Sequence, residues 1–251
     1  MFSCLCLTVL ITWEYYRHNR SNHIYDNLRT QYYNKTEEEN IDEYLKGEND
    51  DGLEKQYKNY DANQAVKELI HDIENIIGWI SIPGTKIDYP VVQYSDNSYY
   101  LDHNCLGEKD VKGAIFMDYR NDYQGKDSNY ILYGHKMADG TMFSDLNQYV
   151  QESTSKTYFN DYNIIKYDTS HKNTQWKVFS VYVVDLDKEK YYLYTKYDTD
   201  DEFREFIKEV KERSLIKNEL KIDSNDEILT LVTCNYWFNN ARTIIHAVRL
   251  Q

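Results

Sequence analysis

The chain has 251 residues and carries 42 acidic against 29 basic side chains, a net charge of −13. That balance, with no Lys/Arg-rich block anywhere, excludes nucleic acid as a partner, because phosphate recognition needs a clustered basic face. Hydrophobic residues at 41% allow a packed core and exclude wholesale disorder, and 26 Tyr against 8 Phe favour half-wet strand positions in a β-rich domain.

Met1 to Trp13 is almost wholly apolar and stops at Glu14. A helix over that stretch spans about 20 Å, short of the ~30 Å hydrocarbon core. No basic residue precedes the run and no small-x-small cleavage site follows it, so it does not fit a signal peptide. Tyr15 and Tyr16, followed by Arg17 and Arg20, suit a membrane interface. The expectation is an incomplete membrane anchor over residues 1–16. Residues 17–61 are polar and acidic, with Glu37-Glu38-Glu39 and Asn49-Asp50-Asp51-Gly52 prominent. They read as a solvated stalk with short helices near 40–46 and 53–60. From Ala62 to Ile76 the apolar positions Ala65, Leu69, Ile73 and Ile77 recur every fourth residue, which predicts an amphipathic helix leading into a domain over 62–251.

Strand patterns follow. Gly78–Thr85 reads as a strand ending in a Pro-Gly turn, and Ile87–Gln93 as a second strand in which Pro90 marks an edge or a bulge. Gly113–Met117 and Tyr130–Tyr133 are the third and fourth. Met142–Tyr149 has the pattern of a short helix entered through Asp139-Gly140-Thr141. Ile164–Tyr167 and Trp176–Val184 add two strands. Asp200–Leu215 is a helix with Phe203, Phe206, Ile207 and Val210 on one stripe, capped by Asp200 or Asp201. The runs Ile228–Cys234 and Thr243–Val248 complete about eight strands with few helices, the count of a closed or nearly closed barrel.

Three residues at strand ends carry chemistry. Cys234 ends one apolar run, Arg242 opens the next, and His135 follows Tyr130–Gly134. A thiol can attack a carbonyl, an imidazole can move protons, and a guanidinium can hold an oxyanion without titrating. The other cysteines are Cys4, Cys6 and Cys105, with no C-x-x-C pair and no Cys/His cluster at metal spacing. No cofactor signal is present. A Cys105–Cys234 disulfide would consume the nucleophile.

Thr230-Leu231-Val232-Thr233-Cys234 resembles the T-L-x-T-C signature of the sortases, with Tyr133-Gly134-His135 upstream and Arg242 downstream in the expected order. Gly78–Gln93, Asn97–Asn104, Gly134–Asn147 and the helix at Asp200–Leu215 are similar to class B members in particular. The resemblance covers residues 62 to 251. It implies a mainly β fold: an eight-stranded sortase-type barrel, with an N-terminal helical extension and a helix between strands 6 and 7. It implies a cysteine transpeptidase that cuts a C-terminal sorting motif of secreted proteins. The Thr carbonyl is held as a thioester and passed to an amine of the cell-wall peptidoglycan precursor. By the same resemblance the protein would cross the membrane once, with its catalytic domain on the wall side. Asn97 and Leu101 would line the groove for the sorting peptide, and Val232 and Thr233 would form its floor. Class B enzymes often carry Ser where this chain has Val232, which leaves the peptide motif open. A hydrolase of the same fold and a pilus-type sortase use the same machinery. A non-catalytic module binding wall peptides would not need Cys234, His135 and Arg242 together.

Overall fold

The computed structural model describes residues 20–34, 64–124, 127–188, 193–237 and 239–250. Helix α1 covers residues 20–34 and α2 Gln64–Asp72. They precede β1 (Ile76–Ser81), β2 (Asp88–Gln93), β3 (Ile115–Met117) and β4 (Asn129–Tyr133). Then come α3 (Ser155–Asp161), β5 (Ile164–Thr169), β6 (Asn173–Asp185), α4 (Asp200–Arg213), β7 (Ile228–Asn235) and β8 (Ala241–Arg249). The eight strands close into one barrel in the order β1-β2-β3-β4-β7-β8-β6-β5. The β2–β3 and β4–β7 pairs are parallel and the others antiparallel. The expected mainly β, eight-stranded barrel is therefore the observed fold.

Two apolar clusters hold it. One fills the barrel and extends under α1 and α2, with Ile80, Val91, Ile115, Leu132, Leu229, Leu231 and Ile245 at its centre. The other lies outside the barrel wall, where Phe203, Ile207 and Val210 of α4 meet Phe179, Tyr182, Val232 and Ile244. Strand alternation feeds both, because successive side chains of β7 point to opposite faces. Pro90 sits in β2 opposite Trp79 of β1, and the β3 pairing begins only at Val91, so no donor is needed on that side.

Several boundaries differ from the sequence reading for identifiable reasons. The helix expected to reach Ile76 stops at Asp72, because Asn75 takes φ 72° and turns the chain into β1. Its last two periodic positions, Ile73 and Ile77, belong to the turn and the strand. Helix α4 is capped by Thr199, whose hydroxyl accepts from the Glu202 amide at 3.2 Å, rather than by Asp200 or Asp201. The short helix foreseen at Met142–Tyr149 is a 3-10 turn over Ser144–Tyr149.

Helix α1 lies inside the segment expected to be a solvated stalk, yet Ser21, Tyr25, Leu28 and Tyr32 form a buried row along it. Tyr32 stacks on Trp79 with centroids 4.5 Å apart, and its hydroxyl donates to the Asp168 carboxylate. Tyr25 packs edge-on against Tyr89 and donates to the Gly113 carbonyl at 2.9 Å. A stripe made largely of tyrosine reads as polar in a sequence but buries like any aromatic face. The short helices expected near 40–46 and 53–60 lie outside the described residues.

The expectation of a single-pass membrane protein is corrected: among the described residues no helix is long and apolar enough to cross a membrane. The apolar run Met1–Trp13 that prompted it lies outside the described residues.

His246 of β8 is fully buried between the barrel wall and α4. The Thr230 hydroxyl gives its proton to Asn129 Oδ1 at 2.6 Å, so it can only accept from His246 Nδ1–H, at 2.8 Å. Nε2 then accepts from the Tyr182 hydroxyl at 2.9 Å. The ring is held neutral, and burial pushes its pKa down to about 3. An unfolded histidine near 6.5 takes up a proton that the folded one refuses, so this contribution to stability is complete above about pH 6.5 and is lost as pH falls toward 3. Urea unfolding at pH 7, 6 and 5 is expected to give a wild-type slope that steepens toward about 1.4 kcal/mol per unit below 6.5. His246→Gln is expected to be less stable at pH 7 with a shallower slope; an equal slope in both proteins would contradict the assignment.

Candidate active site

The site forms where β4, β7 and β8 end together. Leu229 and Leu231 of β7 point into the barrel, while Ile228 and Val232 point out toward α4. Cys234 continues the outward row and is half-buried, in a strand whose other residues are all buried. Arg242 of β8 is its cross-strand partner. The parallel pairing of β4 with β7 runs to Tyr133 opposite Val232, and the Gly134 amide donates to the Val232 carbonyl at 3.2 Å. Two residues further along each strand, His135 and Cys234 lie side by side. Gly134 is demanded by packing: a Cβ there would meet Ile115 Cδ1 at 2.4 Å and Phe143 Cδ2 at 2.7 Å.

His135 is fixed from behind. Its Nε2 lies 2.7 Å from the Leu101 carbonyl, and since a carbonyl only accepts, Nε2 carries the proton. The neutral ring then has its lone pair on Nδ1. The imidazole and the Cys234 thiol face one another, and their mutual interaction is the largest influence on both groups. It lifts the His135 pKa above the ordinary imidazole range against the opposing effect of burial. It lowers the Cys234 pKa, with burial opposing and the charges of Arg242, His135 and Lys136 helping. Both movements favour a thiolate beside an imidazolium, and the two groups titrate as a coupled pair. Lys136 lies over the Tyr236 ring at 4.6 Å, and Tyr236 donates to the Lys136 carbonyl at 3.2 Å. With Trp237, this places two exposed aromatic side chains just beyond the thiol.

The expected groove residues divide. Leu101 is 45% exposed, and its backbone carbonyl is the one that orients His135. Val232 is buried in the outer cluster, one alternation below Cys234. Thr233 points into the barrel, and its hydroxyl is buried without a hydrogen-bond partner. The Asn97 amide is already engaged: Nδ2 donates to Asp118 at 3.0 Å, and Oδ1 accepts from the Tyr119 amide at 3.0 Å. Asp118 also accepts from Arg120 and from the Tyr133 hydroxyl. Burial would raise the Asp118 pKa, and these bonds outweigh it and hold it low. Cys105 is buried and free, so it forms no disulfide with Cys234. Among the described residues no cluster of three or more His, Cys, Asp or Glu could hold a metal.

Sequence reasoning missed the polar network inside the barrel mouth. Asn147 Nδ2 donates to the Cys234 carbonyl at 3.2 Å and its Oδ1 accepts from the Thr243 hydroxyl at 2.9 Å. Thr243 in turn accepts from Asn235 Nδ2 at 2.9 Å. All three side chains are buried. The available signal was the run of polar residues at inward positions of β7 and β8, where apolar ones are normal. Asn147→Ala removes the side-chain donor to the Cys234 carbonyl and the acceptor of the Thr243 proton. It is expected to lower stability by about 1–3 kcal/mol in urea unfolding, and an unchanged midpoint would contradict this.

Comparison with known proteins agrees with the geometry. Residues 80–250 match the sortase domain family model. The chain is 35% identical to sortase B of Listeria monocytogenes over 178 residues, 69% of this chain and 70% of the relative. Its fold matches the Staphylococcus aureus sortase B–substrate complex with a TM-score of 0.76 and 26% identity, covering 94% of this chain and 98% of that one. It matches Clostridium perfringens sortase B with a TM-score of 0.68 and 35% identity, covering 74% and 99%. A barrel of this topology, a thiol beside an imidazole and a guanidinium across the hairpin, with relatives at this identity, establish that the chain belongs to the sortase family of cysteine transpeptidases, as a class B member.

Proposed function

We propose that Cys234 is the nucleophile, His135 the proton carrier and Arg242 the oxyanion-holding cation of this transpeptidase. Its donor substrates are secreted proteins bearing a C-terminal sorting motif, and its acceptor is an amine of the cell-wall peptidoglycan precursor. The observation that carries the role assignment is the register that sets the thiol beside the imidazole at the ends of β7 and β4, with a guanidinium directly across the hairpin. The Staphylococcus aureus relative is described in complex with a substrate, which supports a peptide groove at the corresponding place. Exposed Leu101 lines that groove and Val232 closes its base. Asn97 shapes the wall through Asp118 and Tyr119 rather than with a free amide. The catalytic unit on this reading runs from residue 62 and has α1 packed against it.

The chemistry follows from charge. The Cys234 thiolate attacks the carbonyl carbon of the scissile peptide, and negative charge moves onto the carbonyl oxygen. The Arg242 guanidinium stabilises that oxyanion. As the C–N bond breaks, the His135 imidazolium gives its proton to the departing amine, leaving a thioester on Cys234. An incoming amine attacks the thioester, His135 accepts its proton, and the thiolate leaves. Water in place of the amine would give hydrolysis, so the acceptor decides the product.

The test incubates the protein with a small library of sorting-signal peptides, with and without an amine, and follows products by mass spectrometry. The expected results are a thioester adduct on Cys234 and ligation to the amine, both absent in Cys234→Ala. Arg242→Lys keeps the charge but loses the planar fork, and kcat is expected to drop about 100-fold with a smaller change in KM. Retention of adduct formation in Cys234→Ala, or a silent Arg242→Lys, would contradict the role assignments.

A further inference from the structure

Lys112 is among the most deeply buried side chains of the protein, with its side chain 1% exposed. Its Nζ lies 2.7 Å from Asp139 Oδ2 and donates to Asn22 Oδ1 at 2.6 Å. A buried ammonium is costly unless it is well paired and its remaining protons are hydrogen-bonded. These partners are informative. Asn22 belongs to α1. Asp139 sits at the tip of the loop that His135 opens and Phe143 closes, where the Phe143 amide donates to the His135 carbonyl at 2.9 Å. Lys112 itself lies on the turn from Asp110 to Gly113, its amide donating to Asp110 Oδ1 at 2.9 Å. One ammonium therefore fastens α1, the 110–113 turn and the histidine loop together.

The next residue is packed against the imidazole. Gly113 has φ 59°, and a Cβ there would lie 2.4 Å from the Tyr100 carbonyl, 3.0 Å from the Leu101 carbonyl and 3.1 Å from His135 Cδ2. It thus fills the corner between the ring and the backbone that supplies the ring's acceptor. Its own carbonyl accepts from Tyr25 of α1 at 2.9 Å. Any slack in the 110–113 turn is passed directly to the Leu101 carbonyl and the His135 ring. We propose that Lys112 is a positioning residue for His135, clamped by Asn22 of α1 and Asp139 of the histidine loop, so that α1 is a working part of the active site. This rests on His135 being the proton carrier.

The charged groups facing the thiol and imidazole are Arg242 and Lys136; the Lys112 ammonium pairs with Asp139, while Asp110 accepts from the Lys112 backbone amide. Lys112 does not touch the reacting atoms, so its effect is on geometry. The test follows iodoacetamide alkylation of Cys234 against pH, together with kcat and KM on a cleaved peptide, in the full chain. Lys112→Met is expected to move the alkylation midpoint up by about 0.5–1 pH unit, as the imidazole shifts relative to the thiol and its interaction with it weakens. Its kcat is expected to fall about ten-fold while KM changes less than about two-fold. Asn22→Ala, which keeps the Lys112–Asp139 ion pair, is expected to shift both in the same direction by less, and it decides the matter if Lys112→Met does not fold. Folded variants with a lower melting temperature but an unchanged alkylation profile and kcat would overturn the proposal, since a purely structural residue behaves that way. His135→Ala separates the two levels. If it leaves the alkylation profile unmoved, the underlying reading fails; if it moves the profile and the Lys112 and Asn22 variants do not, only this inference fails.

Discussion

The parallel hydrogen-bonded register between β4 and β7 is the constraint on which the site depends. It brings together two residues about a hundred positions apart in the chain without any direct link between them. Parallel strands need a long crossover, and here the crossover contains α3, β5, β6 and α4. Because the side-chain period of a strand is two, a slip of one residue would turn Cys234 into the barrel and bring Thr233 out. The apolar residues of β7 forbid that slip: Leu229 and Leu231 fill the barrel, and Val232 fills the outer cluster. The antiparallel β7–β8 hairpin then sets Arg242 opposite the thiol by the same rule.

Half-burial gives this geometry its electrostatic effect. In a chain with net charge −13, the cations Arg242 and Lys136 lie where a negative sulfur would form. Desolvation alone would keep the thiol protonated and the imidazole neutral, and the interaction between them outweighs it in both. That balance requires the imidazole to present one nitrogen to the sulfur while the other is committed elsewhere. The Leu101 carbonyl meets the second demand. The short helical turn at Tyr99–Leu101 and the Gly113 corner are thus tied to the chemistry through backbone atoms.

The strands, and the three reactive side chains that they bring together, were legible in the sequence for a common reason. Each strand shows a β-branched or aromatic run, and Cys234, His135 and Arg242 are reactive types at the ends of such runs. What was not legible depends on tertiary contact. Helix α1 was hidden because its buried stripe is Tyr25, Leu28 and Tyr32 in a polar segment, and hydroxyl-bearing rings score as half-polar. Leu101 and Asn97 were read for their side chains. The structure uses the backbone of the first on His135 and spends the amide of the second on Asp118. Asn147 and Lys112 carry no local pattern. Their roles exist only because the fold brings Thr243 and Cys234 to one and Asp139 and Asn22 to the other.

The most direct test of the coupled thiol and imidazole is an NMR titration of the His135 ring in the wild-type protein and in Cys234→Ala. The account expects the His135 pKa to lie above the ordinary histidine range in the wild type and to fall when the thiol is removed. Its strongest support is then gone, while burial and the charge of Arg242 remain. An identical His135 titration in the two proteins would mean that the thiol and imidazole do not interact as described, and would contradict the central claim.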